Sequence, residues 1–365
     1  MVNLAIIGTR GIETRYSGVE VAVSEMCKCL PRNKFKITVY CRKYPGDPFK
    51  KKINDSLCLI FIPTLELKNW GTVVHVILSL VHSIFIPVNI VHFHSLGPAF
   101  FSFFPQMLGR KVVVTIHALD WKRKKWGFFV RSFLRFCEYP AIFLSNEIIV
   151  VSQELKKYFE NKFKKQVFYI PNGAHIKYSN SYYNKDISDF VNILFVGRLV
   201  PEKRVELVIK AVNELKGSAK LTIAGISSFT HRYAKQLKAI AGKNIQFIGF
   251  IQGKALFSLY QKADIFVLPS EMEGSPVSLL EAMGQGKCVV ASDIPECQEI
   301  IGECGVYFRA GDYCDLTIKI QYLSQHPEII SKLGREARER VKKIYDWDIL
   351  VNYIASVYAL CVKLE

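Results

Sequence analysis

The stretch that most restricts what this chain can fold into runs from Ile265 to Ser292, IFVLPSEMEGSPVSLLEAMGQGKCVVAS. A short apolar run, Ile265 to Leu268, stops at Pro269-Ser270. A loop with Glu273, Gly274, Ser275 and Pro276 follows, and then a helical stretch from about Val277 to Met283 that Gly284 and Gly286 end. A second apolar run, Cys288 to Ala291, closes the unit. Strand, loop, helix, strand is the crossover unit of a parallel sheet. In such sheets ligands gather at the carboxyl ends of the strands, where helix N-termini offer N–H groups and a partial positive charge suited to phosphate. Glu273 and Glu281 add two carboxylates, and a carboxylate accepts hydrogen bonds from the vicinal hydroxyls of a ribose or hexose. The unit therefore suits a nucleotide sugar. Spacing alone leaves open that Glu281 is a solvated helix acid and Glu273 an ordinary loop acid.

The same alternation runs through the rest of the chain. Apolar runs at Asn3 to Ile7, Phe35 to Cys41, Leu57 to Ile62, Ile90 to His94, Lys111 to Ile116 and Glu147 to Val151 are separated by helical stretches. Residues 1–173 thus read as a doubly wound α/β domain. Residues 174–190, rich in Tyr, Asn and Ser, read as a linker. The alternation resumes at Asn192 to Val196, Lys220 to Ala224, Ile245 to Phe247 and Gly305 to Phe308, giving a second such domain over 191–346. A tail, 347–365, has apolar residues at helical spacing and is expected to pack back on the first domain. Two cores also suit a length of 365 residues.

Charge is uneven: of a formal net +17, residues 1–190 hold 27 Lys and Arg against 13 Asp and Glu. A basic first half predicts an acidic partner, either anionic lipid headgroups or nucleic acid. Basic clusters stand at Lys50-Lys51-Lys52, Lys122 to Lys125 and Lys162 to Lys165. A merely soluble basic surface is the plain alternative. No nucleic-acid-reading motif is present, and the aromatics lie in apolar runs rather than interleaved with Arg and Lys, which argues against nucleic acid. The ten cysteines form no disulfide framework or zinc spacing, so reduced thiols and a cytoplasmic location are expected. The first residues read directly into a strand, so no secretory signal is expected. Asn69 to Gly109 holds no charged residue, but its most apolar part, Thr72 to Ile86, is broken by His75, His82 and Pro87. It falls short of the roughly 20 apolar residues of a membrane span, so a buried or membrane-facing helix is expected. FFSFFPQML and WGFFVRSFLRF are candidate surface contacts, with core helix as the alternative.

Other residues carry chemistry at strand ends. Arg198 and Lys203 flank a turn after the first strand of the second domain, where a guanidinium fork and an ammonium can converge on a diphosphate. His117 directly follows VVVTI, at a strand's carboxyl end where binding residues belong, with a hydrogen-bonded structural histidine as the alternative, and His92 and His94 share one face of a strand. No metal site is expected, since HExxH and acid ligands at metal spacing are missing. The one DxD spelling, Asp346-Trp347-Asp348, reads as a turn and helix cap.

Together these residues resemble the retaining glycosyltransferases of family 4, which have the GT-B fold: α/β, with two doubly wound Rossmann-like domains facing across a cleft. Glu273 and Glu281 match that family's two glutamates separated by seven residues, and LPSEMEGSPVSLLEAMGQGKCVVAS resembles its longest motif. Gly197-Arg198-Leu199 with Lys203 resembles its diphosphate motif, and Pro171-Asn172-Gly173 its turn before the interdomain linker. IIGTRGIETRYSGVE and HALDWKRKKW resemble a rhamnosyltransferase-like subgroup, in which the loop more often reads YGGxE, so Ser17 departs from the pattern. The resemblance implies an enzyme that moves a sugar from a nucleotide-sugar donor to a glycan or lipid-linked glycan acceptor, in surface polysaccharide or glycoconjugate synthesis. It implies no cofactor and no metal. Glu281 would bind the ribose, Glu273 would lie near the sugar hydroxyls, and Arg198 and Lys203 would neutralise the diphosphate beside Gly274 and Ser275. Gly18 would let backbone amides approach that group, and His117 would line the reacting face. Lipid-linked acceptors add an expected peripheral residence at an anionic inner membrane face. The same fold would also carry a nucleotide-sugar epimerase or a phosphorylase, and a non-enzymatic nucleic-acid-binding protein is the more distant alternative.

Overall fold

A computed structural model describes residues 1–13, 17–64, 70–123, 126–176, 190–227 and 230–362, and of Trp70 the backbone alone. Most of the expected linker, 177–189, lies outside the described residues, as do Lys124 and Lys125 of one basic cluster, 14–16 of the first loop and the last three residues of the tail. The chain divides into two compact units, Met1–Pro171 with Trp347–Glu365, and Asn172–Asp346.

In the first unit, β1 (Val2–Ile7), β2 (Phe35–Lys43), β3 (Lys50–Asn54), β4 (Leu57–Pro63), β5 (Ile90–His94), β6 (Lys111–Ile116), β7 (Glu147–Val150) and β8 (Phe168–Tyr169) form one sheet. Its order is β3-β4-β2-β1-β5-β6-β7-β8. Neighbours run parallel except β3, which is antiparallel to β4. The helices of this part are α1 (Gly18–Cys29), α2 (Trp70–Ile84), α3 (Leu96–Ala99), α4 (Phe103–Met107), α5 (Phe128–Phe136), α6 (Glu138–Phe143) and α7 (Gln153–Phe163). At 15 residues α2 is about 22 Å long, and no helix among the described residues is long and apolar enough to cross a membrane.

The second unit holds β9 (Val191–Val196), α8 (Val205–Glu214), β10 (Ala219–Ala224), α9 (His231–Ala239), β11 (Ile245–Gly249), α10 (Gly253–Lys262) and β12 (Ile265–Leu268). It continues with α11 (Val277–Gly284), β13 (Cys288–Ser292), α12 (Pro295–Ile301), β14 (Val306–Phe308), α13 (Tyr313–Gln325) and α14 (Pro327–Arg340). Its strands are all parallel, in the order β11-β10-β9-β12-β13-β14. The last helix, α15 (Trp347–Val362), belongs to the first unit.

Both sheets are covered on both faces, which is why their strands read as continuous apolar runs rather than alternating ones. Leu4 and Ile6 of β1 share a core with Val23 and Met26 of α1 and with Leu350, Ile354 and Tyr358 of α15. Ala5 and Ile7 point to the opposite layer, with Val76 and Leu80 of α2 and Ala141 and Ile142 of α6. In β12, Ile265 and Val267 join α8 and α13, whereas Phe266 and Leu268 join α11 and α12. Fully burying one such side chain stabilises by about 1.5–3 kcal/mol.

Two local differences from the sequence reading have physical causes. Lys50, Lys51 and Lys52, read as a surface cluster, form the exposed edge strand β3. Lysines on an edge keep it from pairing with another sheet, and the segment lacks the apolar alternation that announces a strand. Ala174, read as the start of the linker, is buried and bridges Asp346 within the second unit.

Candidate active site

In the second sheet the strand order reverses between β9 and β12, and ligands bind at such switch points, outside the carboxyl ends of the strands. The loops leaving β9, β10 and β11 are tied together there. Gly197 N–H donates to Ala224 O (3.0 Å), Leu199 N–H to Ile226 O (3.1 Å) and Gly225 N–H to Gly249 O (2.8 Å). Gly225 has φ +156°, and a Cβ there would lie 1.8 Å from Gly197 O, so only glycine lets the two loops meet.

Arg198 leaves β9 at this turn, and Pro201–Lys203 then winds into a single 3-10 turn. Glu271 N–H donates to Glu202 O (3.0 Å), so the loops after β9 and β12 are joined through backbone. Side chains reinforce the junction. Lys203 Nζ lies 2.5 Å from Glu273 Oε1, both side chains being nearly buried. Arg204 lies 3.1 Å from Glu206 and 3.1 Å from Glu271. An ion pair so shielded from water fixes the orientation of both side chains.

Ser275 is buried at the mouth of α11, and Asn172 holds it from two sides. Asn172 N–H donates to Ser275 Oγ (3.1 Å), and its side-chain amide donates to Ser275 O (2.7 Å). Ser292 Oγ donates to Ser270 O (2.5 Å), fastening the start of the same loop to β13. On α11, Glu281 Oε2 accepts the hydroxyl of Tyr260 on α10 (2.9 Å). Burial first, and the Glu281 charge second, push the Tyr260 phenol well above its usual value of 10.0, so it remains a donor. Thus Arg198, Lys203, Glu273, Gly274, Ser275 and Glu281 all stand on the β9 loop, the β12 loop or α11.

His117 and Gly18 belong to the first unit. Gly18 opens α1 behind Ser17, whose N–H donates to Glu20 Oε2 (2.6 Å). Ser17 is extended (φ −133°), so a serine serves as the N-cap where the resembling loop more often has glycine. At the end of β1, Gly8 (φ +107°) lies so close to β5 that a Cβ would stand 2.5 Å from His94 O.

Three histidines stack at the ends of β5 and β6. His94 Nδ1 is 3.0 Å from His117 Nε2. His92 Nδ1 meets Tyr358 Oη and its Nε2 meets Thr115 Oγ1, each at 2.7 Å. Burial is the main cause that lowers all three from 6.5, His92 to about 3 and His117 to about 4, with His94 well below. Neighbours add to it: the His117 ring for His92, which makes it harder to protonate both, and the Arg123 charge for His117. All three rings are neutral at pH 7. Among the described residues, His117 Nδ1 is buried without a hydrogen-bond partner, and no group of three His, Cys, Asp or Glu is arranged to hold a metal ion.

Sequence reasoning did not find Tyr260, Asn172 as a clamp, or Gly225. Tyr260 sits on an ordinary amphipathic helix and carries no local signal. Asn172 was legible only as a turn residue. Gly225 follows a strand, a position where glycine is unremarkable until the neighbouring loop is known.

Residues 16–178 match the family model described as Glycosyltransferase Family 4, and residues 185–340 the model described as Glycosyl transferases group 1. The chain is 35% identical over 162 residues to the sulfoquinovosyl transferase SQD2 of Arabidopsis thaliana, a stretch that covers 42% of this chain and only 30% of that protein's length. It is 26% identical over 274 residues to the N,N'-diacetylbacillosaminyl-diphospho-undecaprenol alpha-1,3-N-acetylgalactosaminyltransferase of Campylobacter jejuni, 71% of this chain and 67% of that one. The crystal structure of Anabaena HepE in complex with UDP-glucose superposes with TM-score 0.79 at 16% identity, over 98% of this chain and 99% of its own, a likeness of fold. With two parallel, doubly wound sheets and these two matches in succession, the chain carries a Glycosyltransferase Family 4 domain followed by a Glycosyl transferases group 1 domain on the GT-B fold.

Proposed function

We propose that this protein transfers a sugar from a nucleotide-sugar donor to a glycan or lipid-linked glycan acceptor, with retention of anomeric configuration. The observation that carries the proposal is the Lys203–Glu273 pair at the β9–β12 switch point, an oriented cation beside a carboxylate on adjoining loops. As the bond between the anomeric carbon and the diphosphate breaks, negative charge grows on the leaving phosphate. Lys203, Arg198 and the N-terminus of α11, with Gly274 and Ser275, stabilise that charge without having to reorganise. Glu281, steadied by Tyr260, accepts the ribose hydroxyls, and Glu273 accepts a hydroxyl of the donor sugar. The acceptor oxygen attacks from the face the diphosphate leaves, and its proton passes to a leaving phosphate oxygen. His117, neutral and with Nδ1 unpartnered among the described residues, offers a hydrogen bond to the reacting sugar, and Gly18 opens a helix to which phosphate oxygens can come close.

Support for the donor class comes from HepE, solved with UDP-glucose, and support for the acceptor class from the Campylobacter relative, named for a diphospho-undecaprenol substrate. The resemblance of the β1 loop to rhamnosyltransferase-like enzymes makes a deoxyhexose donor the first to try. The test is incubation with a panel of labelled nucleotide sugars and lipid-linked acceptors. Transfer to acceptor with release of nucleoside diphosphate supports the reading. An isomerised nucleotide sugar without transfer would replace it with epimerisation, and sugar 1-phosphate formed from glycan and phosphate with phosphorolysis.

A further inference from the structure

Helix α5 has nine residues, FFVRSFLRF, and none of them is buried. Phe128 is 77% exposed, Phe129 86% and Phe136 56%. The rings of Phe128 and Phe129 meet each other, with centroids 5.7 Å apart. Phe133 reaches Phe100 at 5.4 Å, and Leu134 packs near Gly97. A helix this short is not stable alone in water and normally relies on a packed apolar face. Here most of that face is in solvent. The apolar surface extends beyond α5, since Phe136 meets Tyr139 at 6.3 Å and Tyr139 meets the exposed Phe143 of α6 at 6.4 Å. Clustered exposed rings of this kind mark an interaction surface.

Charge indicates the partner. From Trp121 to Cys137 there are six Lys and Arg and no Asp or Glu. The acids on either side are already engaged. Asp120 pairs with Arg123 at 3.1 Å. Glu138 is fully buried, ion-paired with Lys162, and accepts Trp121 Nε1–H at 2.6 Å. Arg135 lies over the Trp121 ring at 5.4 Å, while Arg131 and Lys122 are exposed. Interfaces between proteins are depleted of charge at their core, whereas here cations alternate with rings along one helix. That is the composition of a helix lying in the plane of a bilayer surface.

We propose that α5, with the Trp121–Arg123 segment before it, docks this protein on an anionic lipid surface. Phe128 and Phe129 enter the acyl boundary, and Lys122, Arg131 and Arg135 sit among lipid phosphates. The docking is independent of the transfer reading, because binding alone reports it.

Flotation of the full chain with vesicles tests this. The wild type floats with phosphatidylglycerol-containing vesicles at low salt, less as salt screens the charges, and does not float with pure phosphatidylcholine. Phe128→Ser with Phe129→Ser lowers partitioning by about tenfold or more, and Lys122→Glu with Arg131→Glu does the same. Both variants keep the wild-type melting temperature, since the changed side chains are exposed. Three results would each overturn the proposal: no flotation of wild type on anionic vesicles at low salt, equal flotation on neutral ones, or unchanged flotation of the phenylalanine variant. A wild-type dimer that the phenylalanine substitutions make monomeric, with no vesicle binding, would make the face a contact between copies instead.

Discussion

Lys203 Nζ donates to Glu273 Oε1 at 2.5 Å, joining two residues 70 positions apart on the loops that follow β9 and β12. Each charge is held by the other before any ligand arrives. Lys203→Ala is therefore expected to lower kcat/KM by about 10²–10³-fold, the scale for losing one preorganised charge-stabilising donor. Glu273→Gln keeps the shape and loses the charge, so it should lower kcat more than it raises donor KM. Steady-state kinetics on folded variants check this, and wild-type values for both would remove the pair from the site.

Tyr260 touches Glu281 on α11 and is fully buried. Glu281→Ala should weaken donor binding, by roughly 1–3 kcal/mol for a lost charged hydrogen-bond acceptor. Tyr260→Phe leaves Glu281 in place but frees it to rotate. Its expected signature is a several-fold rise in donor KM with little change in kcat, measured beside a thermal melt that excludes simple loss of fold.

The switch-point arrangement was largely legible in the sequence, because it rests on local rules. Short apolar runs ending in Pro269 or Gly197, followed by helical spacing, announce a parallel sheet and its loops. The two glutamates and the Arg198–Lys203 turn sit where those rules put ligand contacts. What stayed hidden depends on contacts between distant segments. Asn172 finds Ser275 across 103 positions, and nothing in Pro171-Asn172-Gly173 announces that. The edge strand β3 escaped because lysines at an edge serve to deter pairing, and so suppress the pattern by which strands are found. The exposure of α5 was undecidable from FFVRSFLRF alone, since the same alternation of rings and cations serves a core helix with a charged outer face.

Acid should weaken the fold through the stacked histidines. Free imidazole titrates near 6.5, whereas His92 is lowered to about 3 and His117 to about 4. The unfolded chain thus binds more protons than the native one below pH 6.5, and stability is full above that value and falls as pH drops toward 4. Each ring acting alone removes at most about 1.4 kcal/mol per pH unit. Denaturant titrations at pH 7.5, 6 and 5 measure the slope, and His92→Gln should flatten it; an unchanged slope would show that the ring does not contribute.

Gly225→Ala tests the junction behind the site. Its methyl group would have to displace the Gly197 carbonyl, 1.8 Å from the ideal Cβ position. The expected cost is about 3 kcal/mol or more in unfolding free energy, together with weaker donor binding as Arg198 moves. Gly46, with nothing within 4 Å of such a Cβ, also has positive φ (+90°) and serves as the comparison for backbone strain alone.

Helix α15 returns to the first unit after the whole of the second has been threaded through. During synthesis, Leu4, Ile6 and Met26 emerge early, yet the residues that cover them, Leu350 to Tyr358, emerge some three hundred positions later. The second unit is contiguous and can close its core while the chain is still growing. The first must wait with one face of its sheet covered by α1 but not yet by α15, so the amino-terminal portion of this polypeptide completes its core only when the last helix arrives.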